Sequence, residues 1–176
     1  MNARPLFLAG LIAAAAAARL LPHPDNVTPV AAIALFAGAR FADKRMAFLV
    51  PLAAMFLSDL VLGLYPLLPV IYGSLALIVG LGFLLRRRES AARIAGAGLA
   101  GAVLFFLITN FAVWAVPSGT LYPKTAAGLL DCYAAGLPFF RNEVLGTAFY
   151  TLVLFGGCAL AERRFAPLRE TATATA

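Results

Sequence analysis

The feature that most constrains this chain is a series of six apolar segments separated by short charged loops. The first, at about 5–21, reads PLFLAGLIAAAAAARLL and carries one cation, Arg19. The second is about 29–41, the third 46–63, the fourth 67–85, the fifth 94–116 and the sixth 142–161. Apolar stretches of roughly 18 or more residues with few charges are candidates for crossing a bilayer. Over the whole chain 62% of residues are hydrophobic and 12% charged, where soluble domains average about a quarter charged. The expected fold class is therefore all-α, a polytopic membrane helix bundle, with residues 1–165 as one domain and 166–176 as a disordered tail ending in TATATA.

The second segment is short, with about 13 residues where roughly 20 are needed to span. Charge arbitrates between a span and a re-entrant segment. If it spans, one side collects eleven basic residues: Arg4, the 40–45 loop, Arg86 to Arg88 with Arg93, and Arg163, Arg164 and Arg169. The other side holds three, Arg19, Lys124 and Arg141. The positive-inside rule then predicts six spans with both termini cytoplasmic. Thr28 is the expected cap and Pro29 the first residue of the second helix. The N-terminus also has the outline of a signal peptide, but five further apolar segments favour its retention as a span. A short amphipathic outer helix, Thr125 to Gly136, is expected between spans five and six, bounded by Pro123 and Pro138.

The net charge of +6 reads as membrane orientation, with no nucleic-acid partner. Two cysteines and one histidine, without clustered ligands, predict no metal and no cofactor. Paired acid motifs are absent, so no enzyme activity is expected.

Polar residues gather toward one leaflet. Asp59 in MFLSDLVLGLYP falls about 20 Å along the third span at 1.5 Å per residue. Asn110 and Trp114 share a face of the fifth, Tyr72 lies in the outer part of the fourth, and Arg141, Asn142 and Glu143 open the sixth. Polar groups in spans are costly and default to a functional site. The predicted pocket opens outward and uses Asp59, Tyr72, Asn110, Trp114, Tyr133, Arg141, Asn142 and Glu143. His23 and Asn26 from the first outer loop, with Lys124 and Asp131 from the last, would gate it. The structural alternative pairs Asp59 with Arg141. Ala13, Ala14, Ala17 and Ala18 give small-xxx-small spacing that suits helix packing or a partner.

The runs RLLPHPDNVTPVAAIALFAGARF, FLVPLAAMFLSDLVLG, YGSLALIVGLG, FFLITNFAVW and YPKTAAGLLDCYAAGLPFFRNEVLGTAFYTLVLFG resemble a family of small uncharacterised bacterial membrane proteins catalogued provisionally as transport proteins. More distantly, the chain is similar to the substrate-capturing S-components of energy-coupling-factor transporters. That resemblance implies a multi-pass protein of the bacterial inner membrane that captures a small polar or vitamin-like solute. It also implies docking, through the alanine face, on a separate transmembrane and ATPase module. The chain has no phosphate-binding Walker sequence of its own. The alternative from a different class is a non-catalytic scaffold of an envelope complex.

Overall fold

In the computed structural model, residues 3–116 and 121–169 are described. Among them there are six α-helices and no strand: α1 Ala3–Ala17, α2 Val30–Arg40, α3 Lys44–Leu62, α4 Leu68–Phe83, α5 Ala91–Ala115 and α6 Ala126–Arg164. Helix starts follow local chemistry. Asp43 accepts from the Arg45 amide, Ser90 from the Arg93 amide and Thr125 from the Gly128 amide, each relieving an orphan donor. Gly63, at φ 105°, ends α3 in a conformation that side chains avoid. Thr28 does not cap α2: Pro29 takes the cap position without a side-chain bond and the helix begins at Val30, one residue later than the sequence suggested.

Four helices are long and apolar enough to cross a membrane: α1 with its terminal turn, α3, α5 and α6. α2 is not one of them. Its 11 residues rise about 16 Å, against a hydrocarbon core of roughly 30 Å. It is instead the centre of the bundle, with every residue from Val30 to Gly38 buried. A helix apolar all round belongs in a core, which explains why this segment lacks a polar face. α4 meets it so closely that Gly38 and Gly82 touch backbone to backbone, and a Cβ on either would overlap the other helix's carbonyls.

The outward faces are as apolar as the core. Leu57, Val61, Leu77, Leu99, Leu152 and Leu160 are all exposed. Exposed greasy surface on this scale marks contact with lipid or a partner.

Charged residues tie the ends together. Arg4 reaches Glu162 at 3.2 Å, joining the start of α1 to the end of α6. Arg40 reaches Glu89 at 2.6 Å, joining the end of α2 to the α4–α5 connection. Arg86 donates to the carbonyls of Gly38, at 2.8 Å, and Phe41, capping the C-terminus of α2. The four basic clusters therefore gather at one end of the bundle, and the 21–29 loop lies at the other.

The separate outer helix expected at Thr125 to Gly136 is corrected. It is the first third of α6, which runs unbroken for 39 residues, about 58 Å long. Pro138 lies inside this helix, on an exposed side. Gly128, Cys132 and Gly136 continue, at four-residue spacing, the buried stripe that goes on through Glu143, Gly146 and Thr147. Cys132, Gly136 and Thr147 of that stripe meet α5, so tertiary contact on one side carries the helix past a proline whose missing donor faces outward. At the start of the expected tail, Ala166–Leu168 forms a 3-10 turn, and Arg169 donates back to the Glu162 carbonyl at 3.0 Å. The rest of that prediction, 170–176, lies outside the described residues, as do 117–120 of the last loop.

Candidate functional site

At the end opposite the arginine clusters, α1 tightens into a 3-10 turn, Ala18–Leu20, which swings Arg19 inward. Its Nη1 lies 2.8 Å from Asp59 Oδ1 on α3. The same nitrogen donates to Ser58 Oγ, and Ser58 donates to the Met55 carbonyl at 2.8 Å. From α4, the Tyr72 hydroxyl donates to Asp59 Oδ2 at 2.7 Å. Asp59 is 1% exposed. Three helices thus converge on one carboxylate. Its two oxygens are treated differently: Oδ2 has the tyrosine, whereas Oδ1 has the guanidinium charge close by without an aligned hydrogen bond. Beside it in the α3–α4 loop, burial first and the Asp59 charge second push the Tyr65 phenol above its usual pKa, with Arg19 opposing. That hydroxyl therefore stays protonated and able to donate.

The structural alternative named for Asp59 was half right. It is in an ion pair, but the partner is Arg19, and Arg141 is exposed on α6. Sequence depth put Arg19 at the outer boundary as an orientation charge. The missed signal was the end of the alanine run, where a tighter turn redirects the side chain.

The other predicted residues fall into two further groups. In the first, Asn110 donates to the Phe106 carbonyl of its own helix at 2.9 Å, and its side chain packs against Gly136. The Cys132 thiol reaches the Asn110 carbonyl at 3.4 Å and the Tyr133 hydroxyl the Leu107 carbonyl at 2.8 Å. Trp114 donates to the Pro123 carbonyl at 2.9 Å, and Lys124 sits 5.2 Å over the Trp114 ring while donating to the Val116 carbonyl. These bonds knit α5 to α6 and close the end of α5. In the second group, Asn142 donates to the Asp25 carbonyl at 2.9 Å, docking the α1–α2 loop on α6. Glu143 is 2% exposed and receives Thr147 at 3.4 Å. Gly146 lets the Val27–Thr28 backbone pass against α6.

Of the gate candidates, His23 and Asn26 are exposed in the α1–α2 loop, with Asn26 at φ 61°, and Asp131 is exposed on α6. Lys124 is held by Trp114 as described. None of the eight predicted pocket residues lines the groove of about 500 Å³ between α1 and α3 or that of about 770 Å³ between α5 and α6. The alanine face fares differently. Ala13, Ala14 and Ala17 are exposed, Ala18 is half-buried, and Ala13 and Ala17 line the α1–α3 groove. Among the described residues no group of three or more His, Cys, Asp or Glu could hold a metal ion.

Long apolar helices, lipid-like outer faces and a fully buried central helix define a membrane-type helical bundle. Residues 1–171 match a family of unknown function, DUF6580, and the chain belongs to that family. No curated protein and no solved structure matches it.

Proposed function

We propose that the protein is a multi-pass protein of the bacterial inner membrane that captures a small polar or vitamin-like solute from the outer side. It would act as a substrate-capturing subunit or as a solitary carrier. In this reading both termini are cytoplasmic, because the gathered arginine clusters form the positive-inside end. The observation that carries the reading is Asp59, a buried carboxylate held by α1, α3 and α4 whose Oδ1 lacks an aligned donor. A buried ion pair is a poor stabiliser against an apolar replacement, and ionisable groups inside membranes default to function. Arg19 is then the resting partner of Asp59. A solute bearing a donor replaces the guanidinium at Oδ1, and Arg19 turns to an acceptor on the solute. Because Arg19 sits on a terminal turn of α1, this exchange loosens α1 from α3 and opens the outer side.

Native mass spectrometry of protein purified from its own membranes in mild detergent tests the reading. Wild type is expected to retain a defined small molecule that Asp59→Asn lacks while still folding. The same molecule bound equally to both would remove Asp59 from the site.

A second reading is favoured by the exposed alanines of the α1–α3 groove: a scaffold whose small-residue face docks an envelope partner. Site-directed crosslinking from Ala13→Cys separates the two, an ATPase-linked module supporting capture and cell-wall proteins supporting the scaffold.

A further inference from the structure

The α4–α5 connection reads LLRRRES from Leu84 to Ser90, and its three arginines have different surroundings. Arg86 is engaged with the end of α2 and lies 4.3 Å over the Phe83 ring. Glu89, the acid of the segment, is paired with Arg40. Arg87 and Arg88 are exposed and pair with nothing among the described residues. Together with Arg93, from the first turn of α5, they line a basin of about 710 Å³ whose remaining walls are Phe83 and Leu84. No acid lines it. Arg93 is held in place by a 3.2 Å bond to the Leu84 carbonyl.

Three guanidiniums converging on one basin repel one another unless an anion sits between them, and the fork geometry of arginine suits phosphate oxygens. The walls say which kind of phosphate. Leu84 is 63% exposed, and the apolar outer surface of α4 ends there, at the depth where lipid headgroups begin. Basic pockets between helix ends at this level take anionic headgroups. We propose that the basin binds one anionic phospholipid, its phosphate held by Arg87, Arg88 and Arg93 and an acyl chain laid along Phe83 and Leu84. The inference depends on the membrane character of the bundle and not on solute capture.

The test uses the full chain in a zwitterionic detergent, titrated with phosphatidylglycerol or with phosphatidylcholine of the same chains, and bound lipid counted by native mass spectrometry. Wild type is expected to bind one phosphatidylglycerol in preference to phosphatidylcholine. Arg87→Gln/Arg88→Gln should weaken that binding on the order of fivefold per arginine, about 30-fold for the pair. Lys44→Gln/Arg45→Gln, an equal loss of charge at the same end outside the basin, should bind as wild type. Equal weakening by both pairs would reduce the effect to net charge and overturn the site, as would no weakening by either. Inorganic phosphate displacing the lipid at matched concentration would overturn the lipid in favour of a soluble phosphate.

Discussion

At the scale of single residues, Asp59 and Arg19 dominate. Removing one partner strands a charge out of water, whereas removing both leaves an apolar gap that packs. Arg19→Met is therefore expected to destabilise by about 3–5 kcal/mol, and Arg19→Met/Asp59→Leu to recover most of that loss. Thermal unfolding in detergent reads both. A double variant no more stable than the single one would mean that the carboxylate's other contacts, to Tyr72 above all, matter more than the pair. The carboxylate itself was legible in the sequence, since a lone acid in an apolar stretch must find a partner. Which cation answered it was not, because Arg19 and Asp59 are 40 positions apart and meet only when α1 packs on α3.

At the scale of elements, glycine contacts decide how close helices come. A Cβ on Gly82 would lie 2.8 Å from the Gly38 Cα and 2.9 Å from the Ala39 nitrogen. These are backbone atoms of the buried helix and cannot give way. Gly82→Ala is expected to cost at least about 1–3 kcal/mol through overpacking. Gly80→Ala, on the same helix with nothing within 4 Å of a new Cβ, should be neutral or gain up to about 1 kcal/mol from helix propensity. Denaturation of the two variants side by side checks this, and equal stabilities would show that α2 and α4 have room to part. α6 makes a related point. The sequence marked Pro138 as a boundary by local rules, and the buried face through Cys132 and Gly136 overrode it by contact with α5.

At the scale of the whole molecule, the ties between Arg4 and Glu162, Arg40 and Glu89, and Arg86 and the end of α2 bring four basic clusters to one end. In a Cys132→Ala/Cys158→Ala background, an impermeant maleimide applied to sealed spheroplasts should label His23→Cys and spare Arg45→Cys until the membrane is opened. Labelling of both from outside would overturn the proposed orientation. The short α2 makes this test informative. A bundle can seat an 11-residue helix at its centre because the neighbours, and not α2, carry the exposed apolar faces.

What the sequence determined alone was the class of molecule, an apolar all-helical chain. Hydropathy, charge spacing and capping residues act locally, so a bilayer-compatible helical chain with clustered arginines follows from reading along it. The tertiary structure decided everything that depends on two segments meeting. It made α2 the core, joined the outer helix to α6, gave Asp59 its arginine, and divided seven of the eight predicted pocket residues among three places while leaving Arg141 exposed. Those outcomes rest on packing between residues distant in sequence, where burial on one face outweighs a proline's local cost and a turn of three residues redirects a charge.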